Sequence, residues 1–151
     1  MQVSSDWIEL RDSPLDVGAA VSAVSDDAAG AIGIFLGTTR AETDGSGHKL
    51  IALDYEAYHD MAQRQIRALA DEARKRWPIS RMAVLHRVGR VDVGQPSVLI
   101  AVSTPHRAES FEACRFLIDR LKMEATIWKK EIWEDGSSSW VGEHGGKPSR
   151  D

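Results

Sequence analysis

The chain has 151 residues, of which 42% are apolar and 28% charged, and a net charge of -4. That size suits one domain burying its own core, so a single domain over residues 1–151 is expected, with a flexible tail from about residue 143. The charge balance excludes a general polyanion binder, which needs a concentrated basic face, and the single cysteine, Cys114, excludes an internal disulfide framework and a Cys-rich zinc site.

DWIEL (6–10) alternates weakly and is expected as a first strand. Pro14 and Asp16 open a small-residue segment, Leu15 to Val24, read as a short helix. GAIGIFLG (30–37) is apolar and β-branched, which predicts a buried strand, and the polar, glycine-rich AETDGSGHK (41–49) a loop. LIALDYEAY (50–58) alternates as a strand does. From His59 to Trp77 the period becomes helical, with Met61, Ile66, Leu69, Ala70 and Ala73 near one face, until Pro78 stops it. RMAVLHRVG (81–89) is another strand, and VGQPSVLIAVST (93–104) is a turn leading into the most β-rich run. Residues 107–123 are helical, with Phe111, Cys114, Leu117, Ile118 and Leu121 at steps of three and four. IWKKEIW (127–133) alternates, Asp135-Gly136 marks a turn, and SSWVG returns as a hairpin. Strands and helices mix without a strict βαβ rhythm, so the expected class is α+β.

The longest apolar runs fall short of the roughly 20 residues that span a bilayer, and MQVSSDWIEL lacks the features of a signal peptide. The expectation is a soluble, cytoplasmic chain. There is no Walker P-loop, GxGxxG or GxSxG motif. His48, His59, His86, His106 and His144 are scattered without metal-ligand spacing, so neither a metal nor a cofactor is expected. Gly145-Gly146 is followed by five residues, so the chain as written cannot end in a glycine thiocarboxylate, although it could act on such a tail.

Four features carry chemistry. His106 and Arg107 stand where a strand gives way to a helix, and a helix N-terminus with basic side chains makes an anion site. The alternative is a surface pairing with Glu109 or Glu112. Lys122 ends the same helix, where simple capping would also explain it. Trp128, Lys130 and Ile132 share one strand face, and Ile127, Lys129, Glu131 and Trp133 the other. At least one lysine therefore lies against apolar surface, and desolvation makes a lysine a usable acid, base or nucleophile. Arg40 closes GIFLGTTR, a strand-to-loop transition able to offer N–H, hydroxyl and guanidinium groups to a phosphate, or else an ordinary strand-end arginine. Cys114 lies on the apolar face of its helix and is read as core.

Together, GAIGIFLGTTR (30–40), LDYEAYHDMA (53–62), LHRVGRVDVGQ (85–95), STPHRAESFEA (103–113) and LKMEATIWKKE (121–131) resemble the large, catalytic subunit of molybdopterin synthase. The resemblance covers nearly the whole chain in order. It implies an α/β-hammerhead-like fold with a mixed or antiparallel sheet and flanking helices. It implies a homodimer in which each copy binds one small β-grasp sulfur-carrier subunit, giving a heterotetramer. The carrier's C-terminal Gly-Gly thiocarboxylate would deliver sulfur to cyclic pyranopterin monophosphate, building the dithiolene of molybdopterin, with no metal in the large subunit. By the same resemblance Lys122 and Lys129 are the catalytic lysines. His106 and Arg107 reach the substrate from the dimer mate, Thr38, Thr39 and Arg40 hold its anionic end, and Lys130 and Glu131 extend the strand beside the pocket.

Two positions depart from the family pattern. Thr126 stands where proline is common, two residues before Trp128, and Gln95 where an acidic residue is frequent. Losing the proline would loosen the approach to Lys129. Two other readings are a catalytically silent scaffold for the carrier and a binding module for a phosphorylated metabolite.

Overall fold

The computed structural model describes residues 6–141. The expected flexible tail and the Gly145-Gly146 pair lie outside the described residues, as do residues 1–5. The elements run β1 (Trp7–Arg11), α1 (Val17–Val24), β2 (Ala31–Thr38), β3 (Leu50–Ala57), α2 (His59–Arg76), β4 (Arg81–Arg87), β5 (Gly89–Asp92), β6 (Pro96–Thr104), α3 (Arg107–Glu124), β7 (Ile127–Trp133) and β8 (Ser138–Trp140). This is an α+β arrangement of two four-stranded sheets and three helices, as the sequence leads one to expect.

The first sheet has the order β1-β4-β6-β2 and is mixed, because β1 pairs parallel with β4 while the other pairs are antiparallel. The second has the order β5-β3-β7-β8 and is antiparallel throughout. The strand expected over 81–89 ends two residues early, at Arg87, and the chain continues into a separate strand, β5, that the sequence reading did not anticipate. The chain leaves the first sheet after Arg87 and enters the second at Gly89, whose φ of +83° is a left-handed conformation that suits glycine. Sequence alternation does not reveal this break, since Val88 continues the apolar pattern.

The main core lies between the first sheet and the pair α2/α3, with Ile66, Met82, Val84, Ile100, Val102 and Leu117 at its centre. A second cluster packs α1 against the other face of β4 and β6 through Ala20, Val24, Leu85 and Leu99. α1 starts two residues later than expected because Asp16 caps it, its Oδ1 accepting from the Ala19 N–H at 3.0 Å.

Two helix faces are shifted from the expected ones. Met61 is 44% exposed and Phe111 66% exposed. On α3 the buried stripe is Ser110, Ala113, Cys114, Leu117, Ile118 and Leu121. The helix lies so close to β2 that a Cβ at Gly33 would stand 3.0 Å from the Ser110 carbonyl oxygen, so a small residue takes the buried position and Phe111 turns outward. On α2 Ala62, not Met61, completes the stripe. Cys114 is buried as expected, and burial pushes its thiol up to about 12. No helix among the described residues is long and apolar enough to cross a membrane.

Candidate active site

Where α3 ends and β7 begins, the two sheets and the helix leave a cavity of about 150 Å³. Lys122 enters it from the last turn of α3, and Lys129 from the third position of β7. The sequence reading thus selected two lysines that the fold brings to one cavity. Lys122 remains exposed at its edge and Lys129 is half-buried. The apolar wall is made by Val98, Ile118, Leu121, Ile127 and Trp128.

Register decides which lysine enters. Lys129 stands opposite Tyr55 of β3, which also lines the cavity. Lys130 points to the other face of the strand, where its ammonium lies 5.3 Å from the centre of the Trp140 ring on β8. Glu131 pairs with Leu53 and Ser139 further along the same ladder. Neither Lys130 nor Glu131 lines the cavity.

The floor contains two groups to which the sequence reading assigned no role. His86, near the end of β4, is buried, and its ring meets the Tyr55 ring edge-on at 4.9 Å. Its Nδ1 lies 2.7 Å from the Arg87 carbonyl oxygen. A carbonyl only accepts, so Nδ1 carries the proton and Nε2 is left as an acceptor. Burial pushes the His86 imidazole down to about 4, with the positive charges of Lys122 and Lys129 adding to that and the Arg87 hydrogen bond opposing it. The ring is therefore neutral at pH 7. Burial also raises the Tyr55 phenol, partly offset by its hydrogen bond with Ser97. A polar ring inside the otherwise apolar run MAVLH was the available signal for His86, but only the passage of the chain from β4 into β5 of the second sheet, where Gly89 pairs with Tyr55, brings it to that ring.

The remaining candidates lie elsewhere on the chain. Arg40 is mostly exposed at the end of β2, its guanidinium 3.6 Å from Glu42. Thr38 pairs with Pro96 beside a bulge, one residue from cavity-lining Ser97. Thr39 is buried, its N–H donates to the Gln95 carbonyl at 3.0 Å, and its Oγ1 has no hydrogen-bond partner among the described residues. This loop therefore borders the cavity without lining it. His106 caps α3 through its backbone alone, and Arg107 is the first helical residue. Both are exposed, and neither side chain has a hydrogen bond or ion pair among the described residues. Neither alternative pairing is recorded among the described residues: Glu112 accepts from the Trp77 indole at 3.0 Å, and Glu109 Oε1 has no hydrogen-bond partner. At 1.5 Å per residue, His106 lies about 24 Å along α3 from Lys122, too far to share one cavity within a single copy.

No group of three or more His, Cys, Asp or Glu side chains among the described residues is arranged to hold a metal ion. The arrangement is instead suited to anions. Two ammonium groups, one half-buried, face a cavity with apolar walls and a neutral histidine, where attraction to a negative charge is stronger than in water.

Residues 10–124 match the family model described as MoaE protein. The chain is 45% identical over 137 residues to the molybdopterin synthase catalytic subunit of Nostoc sp., covering 90% of this chain and 82% of that protein. It is 46% identical over 137 residues to the corresponding catalytic subunit of Bos taurus, covering 91% of this chain and 71% of that protein. Among solved structures, molybdopterin synthase from Staphylococcus aureus superposes with a TM-score of 0.83 at 36% identity, covering 89% of this chain and 96% of that one.

Proposed function

The chain belongs to the MoaE family, and on that premise we propose that it is the catalytic subunit of a molybdopterin synthase, a sulfurtransferase. Its substrates in this reading are the C-terminal Gly-Gly thiocarboxylate of a small β-grasp carrier and cyclic pyranopterin monophosphate. The observation that supports it best is the shared cavity, with Lys122 and Lys129 converging from two elements.

Both substrates are anions, and their meeting requires concentrated positive charge within a chain of net charge -4. Sulfur attack opens the cyclic phosphate and leaves oxyanion character, which fixed ammonium groups stabilise. Lys122 and Lys129 have the catalytic role. Thr38, Thr39 and Arg40 hold the anionic end of the substrate at the cavity border, and Lys130 and Glu131 extend the β7 surface along which the carrier tail lies.

His106 and Arg107 act on the cavity of a second copy. Two features favour that. They are a helix length away from their own Lys122. In addition, Ile32, Ile34 and Leu36 form an exposed apolar row on the edge strand β2. Their neighbours on β6, Leu99 and Ala101, are covered on the same face by α1, so the row is the uncovered remainder of a buried surface. The functional unit proposed is a homodimer with one carrier on each copy, each copy a single domain, working in the cytoplasm.

The test is reconstitution. Purified chain, thiocarboxylated carrier and cyclic pyranopterin monophosphate are combined, and the dithiolene product is detected as its oxidised fluorescent derivative. Product from the native chain and almost none from Lys122→Ala is expected. Carrier binding without product from the native chain would overturn the catalytic assignment in favour of a scaffold.

A further inference from the structure

Lys122 and Lys129 are joined by a two-residue junction, Ala125 and Thr126, between the end of α3 and the start of β7. Their relative placement depends on how that junction is held. Internally it is held weakly. The Ala125 N–H donates back to Leu121 at 3.0 Å, and the Ile127 N–H donates to the Ala125 carbonyl at 2.8 Å, closing a three-residue turn centred on Thr126. No non-glycine residue among those described has a positive φ, so this is an inverse γ-turn, whose single short-range bond leaves it soft.

Rigidity comes from outside. The Tyr58 N–H donates to the Thr126 carbonyl at 3.2 Å. Gln65 Oε1 accepts two bonds from the same residue, from the Thr126 N–H at 2.7 Å and from Thr126 Oγ1 at 2.9 Å. A backbone N–H only donates, so the Gln65 amide must present its oxygen here. Gln65 projects from α2, anchored beside it by fully buried Ile66 and by Leu69. The junction is thus tied to the core of the molecule by one side chain 61 residues away in sequence.

We propose that Gln65 is a positioning residue for the two cavity lysines: by gripping both donors of Thr126 it sets the direction in which β7 leaves α3, and with it the placement of Lys129 relative to Lys122. The catalytic half of this rests on the sulfur-transfer reading; the structural half stands without it.

The geometry supplies its own control. Ala125 has φ -75° and ψ 138°, an extended conformation accepted before proline. The φ of an inverse γ-turn, about -75°, is close to that of proline. The Thr126 N–H bonds to the Gln65 side chain, so Thr126→Pro gives up that bond and leaves the β7 ladder intact. Proline would stiffen the junction covalently and make Gln65 dispensable.

The experiment compares the native chain with Gln65→Met, Gln65→Glu and the double variant Gln65→Met/Thr126→Pro. Gln65→Met keeps the side-chain volume and removes the acceptor, whereas Gln65→Glu keeps an acceptor. Two quantities are read, amide hydrogen exchange at Ile127, Trp128 and Lys129, and the kinetics of dithiolene formation. In Gln65→Met, exchange at these amides rises at least about 10-fold while the β4 and β6 amides keep their protection. Its kcat falls about 10- to 100-fold at nearly unchanged KM for the carrier. Gln65→Glu stays near native, and the double variant regains both protection and kcat. Native-like exchange in Gln65→Met would overturn the clamp. Faster exchange with native kcat, or lost kcat that proline does not restore, would overturn the positioning role. If the native chain itself makes no product, the sulfur-transfer reading fails, while the exchange data still decide whether Gln65 holds the junction.

Discussion

Lys129 and Lys130 are adjacent and chemically identical, yet the β7 register separates them. Lys129 pairs with Tyr55 at the cavity, and Lys130 with Asp54 and Trp140 on the other face. A slip of one residue would exchange them. Lys129→Ala is expected to lower kcat by about 10²-fold or more, the scale of losing one fixed donor to developing charge. Lys130→Ala should leave kcat within a few-fold and cost under about 1 kcal/mol of stability, the scale of an exposed cation–π contact. Steady-state kinetics and urea denaturation of the two variants separate these outcomes. His86 adds a pH dependence of stability. Its folded pKa of about 4 lies below the ordinary 6.5, so between those values the unfolded chain takes up a proton that the folded chain refuses. The stability due to the neutral ring is complete above pH 6.5 and is lost as pH falls towards 4, by up to about 3 kcal/mol at 1.36 kcal/mol per unit. Urea midpoints measured across pH 4–7 should fall on acidification, with a shallower slope in His86→Asn.

Among the elements, α3 and β2 depend on close approach. A Cβ added at Gly30 would stand 2.5 Å from the Pro105 carbonyl oxygen, immediately before the His106 cap of α3. That backbone must then move, so Gly30→Ala is expected to cost about 1–3 kcal/mol by overpacking, read as a lowered urea midpoint, and to reduce activity through His106 and Arg107. The extents of α2, α3 and β7 and the start of β8 were legible from periodicity to within a residue or so, because long apolar stripes and the Asp135-Gly136 turn are local signals. Which residues form the stripe was less legible. Phe111 and Met61 fit the spacing but lost their places to Ser110 and Ala62, since the distance between helix and sheet rewards small side chains there. β5 escaped notice because four residues are too few to show a period.

For the whole molecule, the separation of His106 and Arg107 from Lys122 makes the proposed site a property of two copies. Ile34→Lys, placed in the exposed row of β2, is expected to shift the chain from dimer to monomer in sedimentation velocity and to abolish product formation. Complementation gives a sharper test. Lys122→Ala and Arg107→Ala homodimers are each nearly inactive, but random reassortment of the two chains should restore about a quarter of native activity, because half of the dimers then carry one intact site. Absence of recovery after verified subunit exchange would mean that Arg107 serves its own copy.

From the sequence alone came the α+β class, the family resemblance, the core position of Cys114, and the choice of Lys122 and Lys129, since each is written in local order: periodicity, turn residues and short motifs. Only the tertiary structure decided what stands around those lysines. His86 and Tyr55 meet because the chain passes directly from β4 of the first sheet into β5 of the second, Lys129 rather than Lys130 enters the cavity because of strand register, and Thr126 is held by Gln65 from a helix 61 residues away. The Gln65 bond acts against the loosening expected where Thr126 stands in place of proline, because it ties that residue to α2. Contacts between distant segments depend on how the sheets and helices pack, and no window of sequence contains that information.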